Sequence, residues 1–215
     1  MSSNENVLSE PQKRQERQKN RGRIQAFAII SIVLLPMLIA VFMFKTGVGI
    51  PDDRVNKGDL VNPPLNIAHL QLRSANNESW GIDGQPKKWR LVVPGLSQCD
   101  AQCEQNLYLT RQVHIRLAEK SLRVERLYLM LGDQVTEATE QLLTTEHPHV
   151  PIVKTTEEKF HQLLSASDLP ADSLTQGRYF LVDQEGFIML SYLPTHTGNE
   201  LLDDIKRMLK YSYED

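Results

Sequence analysis

Residues 89–105 read WRLVVPGLSQCDAQCEQ. A short run that is apolar but for Arg90 is stopped by Pro94-Gly95, and the chain's only two cysteines, Cys99 and Cys103, follow in a C-x-x-x-C spacing. An apolar run bounded in this way is the pattern of a strand buried on both faces. Ser97-x-x-Asp100 resembles a capping box, which predicts a helix from about Gln98 with both thiols in its first two turns. At a helix start the dipole and the free N–H groups favour thiolate, while Asp100 and Glu104 oppose it.

Downstream, the pattern alternates. A helix is expected over about Asp100–Ser121, a strand over 124–131 (VERLYLML), a helix over Thr136–Glu146, a strand over 150–155 and a helix over about Glu157–Ser165. RYFLVD (178–183) and FIMLSY (187–192) flank Gln184-Glu185-Gly186 as a hairpin, and NELLDDIKRMLKYSY closes the chain with apolar residues at helical spacing. Strands alternating with helices, closed by a hairpin and a last helix, give an α/β fold: a thioredoxin-like central sheet flanked by helices, with the cysteines where the first core strand gives way to a helix.

Upstream, residues 24–44 (IQAFAIISIVLLPMLIAVFMF) carry no charge over 21 positions. That run is long enough to cross a bilayer core of about 30 Å and longer than the apolar part of a signal peptide, so it is expected to be an uncleaved anchor, with Pro36 as a kink. Six basic and three acidic groups occupy residues 1–23, against 18 basic and 24 acidic in the remainder. The positive flank orients the N-terminus to the cytoplasm, and the mildly acidic exported part has no electrostatic footprint for nucleic acid. The expected organisation is a basic cytoplasmic tail (1–23), a transmembrane helix (24–44), a linker (45–66) carrying Gly47, Gly49, Pro51 and Pro63-Pro64, and a thioredoxin-like extracytoplasmic domain (67–215). In a bacterium this is a single-pass inner-membrane protein with a periplasmic domain.

The cysteine pair admits several uses. Residues four apart on a helix have Cβ atoms about 5–6 Å apart, whereas a disulfide needs about 3.5–4.5 Å, so oxidation requires an irregular first turn. Two thiolates on one face can instead clamp a soft cation such as cuprous copper. A purely structural bridge suits the compartment, yet closing so short a loop restrains little chain entropy.

These residues resemble the Sco/SenC family of membrane-tethered thioredoxin-fold proteins. The matches are the single anchor, NPPLNIAHLQL (62–72), the strand WRLVV, the C-x-x-x-C pair, the turn Leu131-Gly132-Asp133 and YFLVDQEGFI (179–188), together covering most of residues 60–210. The resemblance implies copper delivery to cytochrome oxidase, with Cys99 and Cys103 as catalytic or copper-binding residues and an oxidase subunit or another assembly factor as partner. Two departures stand out. Glu104 rather than proline follows Cys103, and counting back from Phe180 to the position of the family's third copper ligand, a histidine, lands on Thr175. His114 is on the face of Cys103 but about 16 Å along the helix. His147 and His149 are expected in a solvated loop, His196 beside the cap of the last helix, His69 ahead of the core, and Met130 and Met189 as core filler.

The leading expectation is therefore an assembly factor for respiratory cytochrome c oxidase that handles thiol redox state or cuprous copper. Two alternatives remain: a general thiol-disulfide oxidoreductase in which Cys99 attacks and Cys103 resolves, and a scaffold that retains only the fold. The first lacks the C-x-x-C spacing and a proline immediately before RYFLVD, and no Thr/Pro-x-x-x-Cys arrangement supports a peroxidase.

Overall fold

The computed structural model describes residues 10–46, 48 and 55–212. The chain divides into two units, 1–54 and 55–215. In the first, helix α1 (Glu10–Thr46) runs through Pro36 without interruption, and Phe27–Thr46 is long and apolar enough to cross a membrane. The backbone of residues 10–23, expected in the basic tail, continues this helix; residues 1–9 of that tail, and 47 and 49–54 of the expected linker, lie outside the described residues.

The second unit is a seven-stranded sheet. Its strands are β1 (Asp59–Asn66), β2 (Arg73–Ser74), β3 (Trp89–Gly95), β4 (Val124–Leu131), β5 (Ile152–Thr155), β6 (Tyr179–Val182) and β7 (Phe187–Tyr192), in the order β1-β7-β6-β3-β4-β5-β2. Strands β3, β4 and β5 are parallel, and β6, β7 and β1 continue the sheet antiparallel on the other side of β3. Helices α2 (Ala101–Arg116), α3 (Glu137–Glu146), α4 (Glu157–Leu164) and α5 (Gly198–Tyr211) complete it.

Side-chain alternation sorts the central strands into two cores. Leu91, Val93, Tyr128, Met130, Tyr179 and Leu181 face one core with α2, α3 and α5; Val92, Leu127, Leu129, Phe180 and Val182 face the other with α4 and the segment before β3. Burial on both faces is why these strands read as continuous apolar runs. The hairpin turns at Gly186, whose φ of 90° suits glycine, while the Asp183 carboxylate accepts the N–H groups of Glu185 and Phe187.

Three expectations shift. Residues 59–66, expected in the linker, form edge strand β1; Pro63 and Pro64 lack the N–H of a central strand but are tolerated at an edge. α2 ends at Arg116 rather than near Ser121, because Ala118 turns to a φ of 50° and a 3₁₀ segment follows over Ala118–Arg123. α2 also begins at Ala101 with Asp100, not Ser97, as its cap.

Where the chain enters the domain, buried Asp204 on α5 holds it. Its carboxylate accepts the N–H groups of Lys57 and Gly58 and the hydroxyl of Tyr192, all within 3.0 Å. Gly58 lies so close to the Tyr192 ring that an added Cβ would sit 2.6 Å from it. Asp204→Ala, which leaves three donors unanswered, is expected to cost roughly 3 kcal/mol in urea unfolding of the full chain in detergent; a loss under about 0.5 kcal/mol would contradict this role.

Candidate functional site

The site begins where β3 runs out. Gly95 packs against the Tyr128 ring so tightly that a Cβ there would lie 2.2 Å from the phenol oxygen, and the Tyr128 hydroxyl donates to the Leu96 carbonyl at 3.0 Å. Burial, helped by the Asp100 charge, pushes the Tyr128 phenol up to about 12, so it remains a neutral donor. The next residues are gripped by the start of α3. The Thr136 N–H donates to the Ser97 carbonyl at 2.8 Å, and the Cys99 N–H to the Thr139 hydroxyl at 2.9 Å.

With Ser97 and Cys99 tied to the start of α3, the helix cannot start at Gln98. Asp100 keeps an extended backbone (φ −80°, ψ 176°) and its carboxylate accepts the Cys103 N–H at 2.9 Å. Cys99 therefore lies outside the helix and Cys103 in its first turn, which is the irregular start a bridge requires. Their Cα atoms are 5.3 Å apart and the sulfurs are joined in a disulfide.

Both cysteines are nearly buried, and Cys103 lines a cavity of about 500 Å³. Its other walls include Asp100, Gln102, Asn106 and Glu157, with the loop 174–178 opposite. That loop is anchored to α2: Asn106 Nδ2 donates to the Gly177 carbonyl at 2.8 Å, and Gln102 Nε2 to Asn106 Oδ1 at 3.3 Å. Gly177 has a φ of 65°, and a Cβ there would meet Gln102 at 2.6 Å. Arg178 fixes the far side of the loop by pairing with Asp59 at 2.6 Å and donating to Ser191 at 2.7 Å.

Thr175 lies in this loop and lines the same cavity as Cys103. The chain thus places threonine, beside Gln176, where the sequence comparison looks for a histidine. The histidines of the chain go elsewhere. His114 Nε2 bonds the Val124 carbonyl at 2.9 Å, and His196 contacts Leu193 and the Lys57 carbonyl beside Thr197, which caps α5 in a capping box with Glu200. His69, His149 and His161 are exposed. Met130 is wholly buried, and Met189 is partly buried against the same core. Among the described residues no group of three or more His, Cys, Asp or Glu side chains is arranged to hold a metal ion.

His147 corrects an expectation. It is 3% exposed rather than solvated, because its ring lies against Arg126, with Nδ1 3.4 Å from Nη2. Burial, then Arg126 and Arg111, push its pKa down to about 4. The folded state thus disfavours the imidazolium, whose ordinary pKa is about 6.5, so this residue's contribution is intact above about pH 6.5 and is lost as pH falls toward 4. Charged and titratable neighbours at this position are Lys88, Arg111, Arg126, His114, His149, Glu125 and Glu146. Unfolding midpoints measured from pH 7.5 to 4.5 are expected to fall less steeply in His147→Gln than in the wild type; parallel profiles would contradict the assignment.

A thioredoxin-like domain bearing a C-x-x-x-C disulfide at the strand-to-helix switch is the class that fold and site define. Residues 89–212 match the family described as transmembrane-like, thioredoxin-like, C-terminal domain, and the chain belongs to that family. Residues 16–47 match its companion, the transmembrane-like, N-terminal domain. No curated protein matches the chain. Similar solved structures include yeast Sco1 (14% identity, 72% of this chain and 97% of that one, TM-score 0.53). Apo Sco1 of Thermus thermophilus is alike at 14% identity over 74% and 99%, TM-score 0.53. Copper-bound ScoI of Arabidopsis thaliana follows at 14% over 72% and 99%, TM-score 0.51. At these identities the likeness is one of fold.

Proposed function

We propose that this chain is a membrane-anchored thiol-disulfide exchange factor in the assembly of a respiratory cytochrome c oxidase, with Cys99 and Cys103 as its reacting groups. The supporting observation is the disulfide itself, held at a helix start with Cys103 lining an open cavity. In this reading a thiolate of a partner dithiol attacks the Cys103 sulfur and expels the Cys99 thiolate. The partner's second thiol then displaces Cys103, so the partner leaves as a disulfide and this chain as a dithiol, two electrons and two protons having moved. Run in reverse, the pair oxidises a partner. The helix dipole steadies a departing thiolate at Cys103, in the first turn of α2, against the opposing charge of the Asp100 cap. The basic flank of the anchor supports a cytoplasmic N-terminus and a periplasmic domain in a bacterial inner membrane.

A second reading treats cuprous copper as cargo of the reduced pair. It is favoured by the fold shared with structures of copper-bound Sco proteins from Arabidopsis and yeast. Two thiolates are soft donors suited to that ion, but the loop opposite them offers Thr175 and Gln176, neither of which is one. Copper held here would be two-coordinate or completed by a partner.

Cys99→Ser/Cys103→Ser in the native host is expected to lower assembled oxidase severalfold while the protein's own level is unchanged. Normal oxidase would refute the proposal and leave a scaffold role. Cysteine-dependent, one-to-one uptake of cuprous ion by the reduced full chain against a competing chelator would favour the second reading over the first.

A further inference from the structure

At the far end of α2 from the disulfide, a second cavity of about 540 Å³ has Arg111, Arg126 and His147 in its walls. Arg126 projects from β4 onto α2, where Nη2 donates to the Leu107 carbonyl at 2.6 Å and both Nε and Nη2 lie 3.4 Å from the Thr110 hydroxyl. Its Nη1 has no hydrogen-bond partner, and no carboxylate pairs with the guanidinium, among the described residues. Burial, with the like charge of Arg111, lowers its pKa to about 10.

Arg126 is half-buried, and an arginine even partly withdrawn from water is commonly matched by a carboxylate. Buried Arg90 pairs with Glu125 at 3.1 Å, and buried Arg178 pairs with Asp59. Arg126 instead has a second arginine as its charged neighbour. Of the two acids in the cavity wall, Glu125 is engaged by Arg90 and Glu146 sits exposed at the end of α3.

Two further features narrow the missing counter-charge. Arg126 Nη2 lies within donating distance of His147 Nδ1, which leaves the neutral ring's proton on Nε2 as another donor. Ile115 and Leu122, 61% and 76% exposed, line the same cavity and present aliphatic surface beside the arginines. Guanidinium donors favour a planar, two-oxygen acceptor, and the aliphatic wall favours one carried on an apolar body.

We propose that this cavity binds a carboxylate attached to an aliphatic group, with Arg126 Nη1 and Arg111 as its charge partners and Ile115 and Leu122 against its apolar part. A free amphipathic carboxylate and the C-terminus of a peptide ending in an aliphatic residue share this chemistry.

The test is calorimetric titration of the full chain in nonionic detergent with N-acetyl-leucine and its neutral match N-acetyl-leucinamide, and with a tripeptide ending in leucine as free acid and as amide. Saturable one-to-one binding of the acids is expected, with the amides weaker by about tenfold or more. Arg111→Gln, at an exposed position, is expected to weaken the acids severalfold, and Arg126→Lys, which keeps the charge but loses the fork, likewise. Equal affinity of tripeptide acid and N-acetyl-leucine would assign the site to small carboxylates; a much tighter tripeptide would assign it to a chain terminus. No saturable binding, equal binding of acids and amides, or full binding by folded Arg111→Gln would overturn the proposal.

Discussion

The hydrogen bond from the Cys103 amide to the Asp100 carboxylate sets where α2 begins, and the geometry of the thiol pair follows from it. A cap at Ser97 would have wound both cysteines into regular helix, with Cβ atoms too far apart to bridge. Ser97 is unavailable because its carbonyl accepts the Thr136 N–H, while Thr139 takes the Cys99 N–H. Two threonines at the start of α3 thereby decide that Cys99 remains on the loop and Cys103 enters the helix. The arrangement depends in turn on Gly95, since only a residue without Cβ lets β3 pass the Tyr128 ring and deliver the loop to α3.

Legibility in the sequence tracks how local each cause is. β3, β4 and β6 were readable because burial on both faces leaves a continuous apolar run. The hairpin was readable because Gly186 marks its turn. β1 was hidden by Pro63-Pro64, which read as tether because an edge position is a tertiary fact. The end of α2 was hidden because its left-handed residue is Ala118, not a glycine. The cysteines declared themselves, but their surroundings did not. The contacts from Cys99 to Thr139 and from Asn106 to Gly177 span 40 and 71 residues, beyond any local pattern. His147 was missed for the same reason: its burial comes from Arg126, a strand away.

The fold and the family place this chain among transmembrane-like, thioredoxin-like proteins, and over about three-quarters of its length its fold is that of Sco structures. Its cavity differs in kind from a three-donor copper site. The loop facing Cys103 is fastened by Asn106 and Arg178 and carries Thr175 and Gln176. In the proposed reading the cavity serves sulfur chemistry, and the stability cost of reducing the pair is small. Loop-closure entropy for so short a bridge amounts to only about 2 kcal/mol, against a domain held by two apolar cores and the Asp204 clamp. A structural staple would be expected to span more chain.

The central claim is that Cys99–Cys103 is a working redox pair on a domain that stands without it. The most direct measurement equilibrates the full chain in detergent with graded dithiol/disulfide buffers, counts free thiols by alkylation and follows the fold by near-ultraviolet circular dichroism. The account requires one reversible two-electron transition, with the reduced protein still folded. Thiols that appear only as the tertiary signal is lost would contradict it and make the disulfide a staple.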